Sequence, residues 1–191
     1  MMFASSARFV IPALWLAWGM FWMAAALHTK STRWREPIAS RVLHVIPLLL
    51  CAALLAWPRW FPLVLTERVL PSGDLLPALG AVLVAAGLAL AAWARAHLGR
   101  NWSGTVTVKQ DHALIRSGPY RAVRHPIYTG LLLGLLGTAL AIGAWRGLLG
   151  VLCALLGFLW KIHVEESRMR QTFPEYENYC GRTSALIPLI Y

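Results

Sequence analysis

Five long apolar runs constrain this chain more than any other feature. They fall at about residues 9–27, 42–57, 75–93, 127–142 and 148–162. A helix needs roughly 20 apolar residues to cross a bilayer core. In hydrocarbon only helices and closed barrels satisfy their own backbone groups. The last two runs are shorter and are separated only by "GAWRG", which predicts a tight helical hairpin. Composition agrees, with 58% hydrophobic and 14% charged residues, where soluble domains carry roughly half and a quarter. A core of 191 residues cannot hide that much apolar surface. The expected fold is an all-α integral membrane protein of about five transmembrane helices.

The positive charges sort by segment. Arg8, Arg59, Arg68 and Arg146 lie before the first run, between the second and third, and in the hairpin turn. The other 14 of the 18 Lys and Arg residues lie in the first loop, the third loop and the tail. Basic residues gather on the cytosolic side of membrane proteins. The expected topology is multi-pass, with the N-terminus outside and the C-terminus in the cytosol of a plasma (inner) membrane. A net charge of +10 can indicate nucleic acid or anionic lipid. Because the charges flank apolar runs instead of forming one tract, membrane lipid is the expected partner and nucleic acid is not.

The first run is longer than the apolar region of a cleavable signal and lacks a small-residue cleavage site, so it reads as a retained anchor. Cys51, Cys153 and Cys180 form no C-x-x-C pair and read as small hydrophobes. His163-x-Glu165, with His125 and His97, offers metal-ligand chemistry. No H-x-x-H or H-x-x-x-H accompanies it, so no metal site is expected.

Two polar stretches carry the chemistry. The first is "RAVRHPIYTG", residues 121–130. Proline suits the first turn of a helix, where its missing N–H is no loss. The fourth helix is therefore expected to start at Pro126 with His125 at its cap. Helix N-termini attract anions, and Arg121 and Arg124 add positive charge there. The second stretch is the tail from Lys161. Lys161 and Glu165 share a helix face by their spacing of four. Glu165 and Glu166 read either as a solvated face balancing Arg168 and Arg170 or as acid–base groups. Tyr176 and Tyr179 read as interfacial anchors, and "ALIPLI" as a segment pressing back on the membrane surface. "TVTVKQ", residues 105–110, alternates and reads as a short extended segment.

Together, "LGRNWSGTVTVKQDHALIRSGPYRAVRHPIYTG" and "EESRMRQTF…EYENYCGRTSALIP" resemble the isoprenylcysteine carboxyl methyltransferase family. That family is itself similar to the phospholipid N-methyltransferases. The resemblance covers roughly residues 95–188. In a chain whose length suggests one domain, hydropathy gives residues 1–94 as the first three helices, and the resemblance implies that 95–191 form the methyltransferase core.

It also implies S-adenosylmethionine as methyl donor, a non-Rossmann membrane fold and a lipophilic acceptor. By the same resemblance His112, Ala113, Leu114, Ile115, Tyr120, His125, Pro126, Ile127 and Tyr128 line the cofactor pocket. Glu165 matches the family's cofactor-contacting carboxylate, and Arg124 is placed to receive the cofactor's carboxylate. Lys161 stands where characterised members carry an acceptor-holding arginine. It keeps the charge but loses the bidentate fork, and Arg182 is a second candidate for that role. A phospholipid amine or small thiol is an alternative acceptor. From another class, a small transporter or non-catalytic membrane subunit is the competing reading.

Overall fold

Each apolar run becomes a helix. The computed structural model describes residues 2–27, 32–35, 37–99, 102, 107–109 and 114–188. The helices are α1 (Met2–Ala26), α2 (Ile38–Ala56), a short α3 (Leu63–Thr66), α4 (Leu75–Leu98), α5 (Pro126–Ile142), α6 (Trp145–Thr172) and a short α7 (Tyr176–Cys180). Among the described residues, α2, α4, α6 and Phe9–Ala26 of α1 are long and apolar enough to cross a membrane, while α5 is shorter. At 1.5 Å per residue, the 17 residues of α5 span only about 25 Å.

The predicted hairpin is present, but only its first arm is short. The run expected over residues 148–162 belongs to a helix of 28 residues. The apolar stretch ends near Ile162 while the helix does not. Glu, Arg, Met and Gln, which dominate the next ten residues, are strong helix formers. The added turns carry Glu165 and Glu166 beyond the apolar bundle.

α4 packs between α1 and α5, and α6 packs between α5 and α2. The α4–α5 contact is the closest, because glycines face each other across it. A Cβ on Gly87 would strike the backbone of Gly130 and Gly134, and one on Gly130 would strike the backbone of Gly87 and Ala91. Small residues let helices approach closely where lipid gives no hydrophobic drive for association.

The α5–α6 turn is held by Gly143, a left-handed cap at φ 65°, ψ 20°. That conformation favours glycine at the end of a helix. Arg68 donates to the carbonyl of Ile142 beside it. Arg146 donates to the carbonyls of Leu54 and Leu55 at 2.7 and 2.8 Å and so closes the C-terminus of α2.

The connections segregate to two ends, as the charge count requires. At one end, strand β1 (Thr32–Arg35), after α1, pairs antiparallel with β2 (Thr107–Lys109), after α4. This ribbon realises the extended segment expected around 105–110. At the same end Val123, just before α5, bridges in parallel to Ser184 of the tail. At the other end Arg68, between α3 and α4, bridges to Ala144 in the hairpin turn.

Candidate active site

The site is built where the start of α5 meets the extra turns of α6. As expected, α5 begins at Pro126 with His125 as its cap. The His125 side chain makes no capping bond, so the ring is free to turn towards α6. Its Nδ1 faces Glu165 Oε2 at 3.5 Å and its Nε2 faces Glu166 Oε1 at 3.2 Å. The imidazole therefore stands between two carboxylates, one on each nitrogen. Tyr128, one turn on, stacks on the His125 ring at 5.5 Å and 8° and donates its hydroxyl to Glu165 Oε1 at 2.7 Å. The other stacked ring neighbour of Tyr128 is Phe158, at 4.9 Å and 14°. Lys161 sets its Nζ 5.5 Å from the Tyr128 ring centre.

Glu166 is the hub of the cluster. Arg124 donates from Nε to its Oε1 at 2.7 Å, and Arg170 from Nη2 to its Oε2 at 3.3 Å. Its residue is 7% exposed, so the carboxylate is held by charged partners and not by water. The sequence offered only a solvated face or an acid–base group for this residue. The readable signal was its spacing of four to Arg170. The 100° step between adjacent helical residues then places Glu165 and Glu166 on different sides of His125.

The tail covers this end of α5. The backbone N–H groups of Arg124 and His125 donate to the carbonyls of Ser184 and Ala185 at 2.9 and 3.0 Å. Thr129 Oγ1 donates to the Leu186 carbonyl at 2.7 Å, and the Arg124 guanidinium donates to the Thr183 and Cys180 carbonyls. Ala185 and Leu186 are buried against Ile162, so this part of "ALIPLI" is core and not membrane-surface padding.

Tyr176 and Tyr179 are buried as well. Tyr179 donates its hydroxyl to the Tyr120 carbonyl at 2.6 Å. Tyr179 thus joins tail to loop, with Tyr176 against its ring, and both are core and not interfacial anchors, a placement that periodicity alone could not distinguish. Burial pushes both phenols up, Tyr179 to about 12. Both thus stay neutral donors at physiological pH.

The remaining expected site residues sort as follows. Tyr120 and Ile127 are buried together with Ala94, and Ile115 packs beside them. Leu114 is half-buried, and Pro126 is fully enclosed. His112 and Ala113 lie outside the described residues. Arg182 is exposed and lines an open surface cleft with Pro174, Glu177, Asn178 and Gly181. It is not among the polar partners of Glu165 or Glu166 described above.

His125 is shaped by competing effects. Burial disfavours its charged form, but the hydrogen bonds and negative charges of Glu165 and Glu166 outweigh burial and raise its pKa above the ordinary 6.5. Among the described residues, no group of three or more His, Cys, Asp or Glu side chains could hold a metal ion.

The family model described as "Phospholipid methyltransferase" matches residues 75–176. The chain belongs to the phospholipid methyltransferase family. The matched range begins at the first residue of α4 and ends at the first residue of α7, so it contains the whole cluster.

Relatives of this family member include the cobalt-zinc-cadmium resistance protein CzcN of Cupriavidus metallidurans, 34% identical over 49% of this chain and 44% of that protein. The protein-S-isoprenylcysteine O-methyltransferase of Schizosaccharomyces pombe is 35% identical over 48% of this chain and 41% of its own length. A probable enzyme of the same name from Oryza sativa is 31% identical over 58% and 60%. The chain thus spans about half the length of the curated relatives it matches. Among solved structures, the eukaryotic intramembrane Ras methyltransferase ICMT superposes with a TM-score of 0.54 at 26% identity, covering 80% of this chain and 50% of that one.

Proposed function

We propose that this chain is an integral membrane S-adenosylmethionine-dependent methyltransferase acting on a lipophilic acceptor, in the manner of the isoprenylcysteine carboxyl methyltransferases. The reading rests on one observation. Glu165 is a partly buried carboxylate fixed by Tyr128 and His125 at the end of the bundle where loop and tail close over α5.

The residues present suit a zwitterionic sulfonium nucleoside. Glu165 supplies an anion for the ammonium. Arg124 and the first turn of α5 supply positive charge for the carboxylate. Leu114, Ile115 and Tyr120 supply apolar and aromatic surface for the nucleoside. His125, Pro126, Ile127 and Tyr128 form the wall that carries these groups.

When bound, the cofactor supplies an electrophilic methyl group for in-line displacement. The protein's part is alignment and exclusion of water, which contributes on the order of 7–11 kcal/mol in well-oriented reactions. The Tyr128 ring stacks with both His125 and Phe158, which fixes the wall that carries its hydroxyl.

Neither carboxylate is spare to act as a base. Glu165 accepts from Tyr128 and faces His125, while Glu166 is shared by Arg124, His125 and Arg170. An acceptor that arrives already anionic needs no base. Lys161, beside Tyr128, is placed to orient it as a point charge. Arg182, exposed in the cleft beside Glu177, is the second candidate for that role. Residues 95–191 carry the site in this reading, and 1–94 serve as its membrane scaffold. The site faces the cytosol, consistent with the basic loops and tail at that end, and the N-terminus is outside.

The test uses the full chain in detergent with methyl-labelled S-adenosylmethionine and a total lipid extract. Label is expected in an apolar product, with calorimetric cofactor binding in the wild type and none in Glu165→Ala. Unchanged binding in a stably folded Glu165→Ala would reject the assignment.

A further inference from the structure

The placement of His125 between Glu165 and Glu166 has a consequence for cofactor binding. A neutral imidazole has one N–H and can donate to one of the two carboxylates only. With a carboxylate at 3.5 Å from Nδ1 and another at 3.2 Å from Nε2, the doubly protonated ring is the form that satisfies both. Its plane is fixed by the parallel Tyr128 ring. Its side chain is 9% exposed, so water cannot replace either partner easily.

The surrounding charges make this cation expendable. From α6, Lys161 and Arg170 stand beside Glu165 and Glu166 respectively. From its own segment, Arg124 pairs with Glu166. Tyr176, Tyr179 and Cys180 of the tail lie near Glu166 or Arg124 and are neutral at physiological pH, as burial raises all three. Arg170 also pairs with Glu177 of α7 at 3.0 Å, so three carboxylates face the basic side chains of Lys161, Arg124 and Arg170 before His125 is counted, and the imidazolium is the unmatched charge. A sulfonium cofactor adds net positive charge to a cluster whose excess is the imidazolium itself. The group in that cluster able to shed charge near neutral pH is His125.

We propose that His125, as an imidazolium, holds the Glu165 carboxylate until the cofactor's ammonium takes it, and releases one proton to solvent in the exchange. The N–H bond broken is that at Nδ1. Nε2–H remains on Glu166, and the freed Nδ1 lone pair becomes an acceptor for the incoming ammonium. This inference rests on the reading that the cofactor's ammonium binds Glu165.

The test is calorimetric titration of the full chain in detergent with S-adenosylmethionine at pH 6.5, in buffers of differing ionisation enthalpy. At that pH the cofactor's own amine, with an ordinary pKa of about 7.7–8.0, stays protonated and adds no signal. The dependence of observed heat on buffer is expected to report release approaching about one proton per cofactor. Affinity should rise up to about tenfold per pH unit below the raised pKa of His125. His125→Asn is expected to abolish the release, and Glu166→Gln, which leaves His125 one carboxylate, to reduce it.

Binding without proton exchange in the wild type overturns the proposal. So does proton uptake, which would mean that His125 receives the cofactor's carboxylate as a cation. Absence of binding heat in every buffer overturns the cofactor reading itself, and this inference with it.

Discussion

Tyr128 and Glu165 meet across the α5–α6 interface, with the phenol donating to the carboxylate at 2.7 Å. The ring of the same tyrosine lies nearly parallel to both His125 and Phe158. One residue thus couples the aromatic column inside the bundle to the polar cluster at its end.

Tyr128→Phe keeps the column and removes only the hydroxyl. A hydrogen bond to a charged group contributes about 1.5–3 kcal/mol. If Glu165 holds the cofactor's ammonium, S-adenosylmethionine affinity is expected to fall by about tenfold or more, with little change in melting temperature. Calorimetry and thermal unfolding in the same detergent separate the two. A drop in melting temperature with affinity intact would make the bond a structural one.

Glu166→Ala leaves Arg124, Arg170 and His125 without their shared carboxylate. Arg124 and Glu166 side chains are 12% and 9% exposed. Breaking such a buried pair on one side costs about 3–5 kcal/mol. The expected result is a large loss of thermal stability and early proteolysis of the tail that Arg124 ties down. Arg124→Ala should cost a comparable amount. The double variant should cost less than the sum of the two, because they share one interaction.

Gly87→Ala tests the α4–α5 contact. The added Cβ meets the backbone of the opposing helix, which cannot move aside as a flexible side chain would. Overpacking of this kind costs about 1–3 kcal/mol. Unfolding midpoints in graded denaturing detergent should fall accordingly. Gly19→Ala in α1 has open space around it and should leave the midpoint unchanged.

His125 gives stability a pH dependence of stated sign. Its pKa is raised on folding. A group raised in this way contributes stability fully present below its unfolded pKa of about 6.5, and that contribution is lost as pH rises through the folded value. Wild-type melting temperature is therefore expected to decline over this window by more than that of His125→Asn. Parallel curves for the two proteins would remove His125 as the source.

Much of this architecture was written in the chain. Five apolar runs fixed five helices, because no other open structure satisfies a backbone in hydrocarbon. The distribution of Lys and Arg fixed which loops share an end, and the β1–β2 and Val123–Ser184 pairings agree. Pro126 fixed the start of α5 by its missing N–H. The length of α6 was legible only in part, since hydropathy marks where apolar residues stop and not where a helix does.

The tertiary structure decided the rest. That Glu166, and not only Glu165, is central to the cluster depends on which side of His125 each carboxylate reaches. That Tyr176, Tyr179, Ala185 and Leu186 are core depends on the tail folding back over α5. Such choices rest on contacts between residues 40 to 60 positions apart, like those of Arg124 with Glu166 and Tyr179 with Tyr120. Local periodicity sets which face of a helix a side chain occupies, and only packing sets what that face meets.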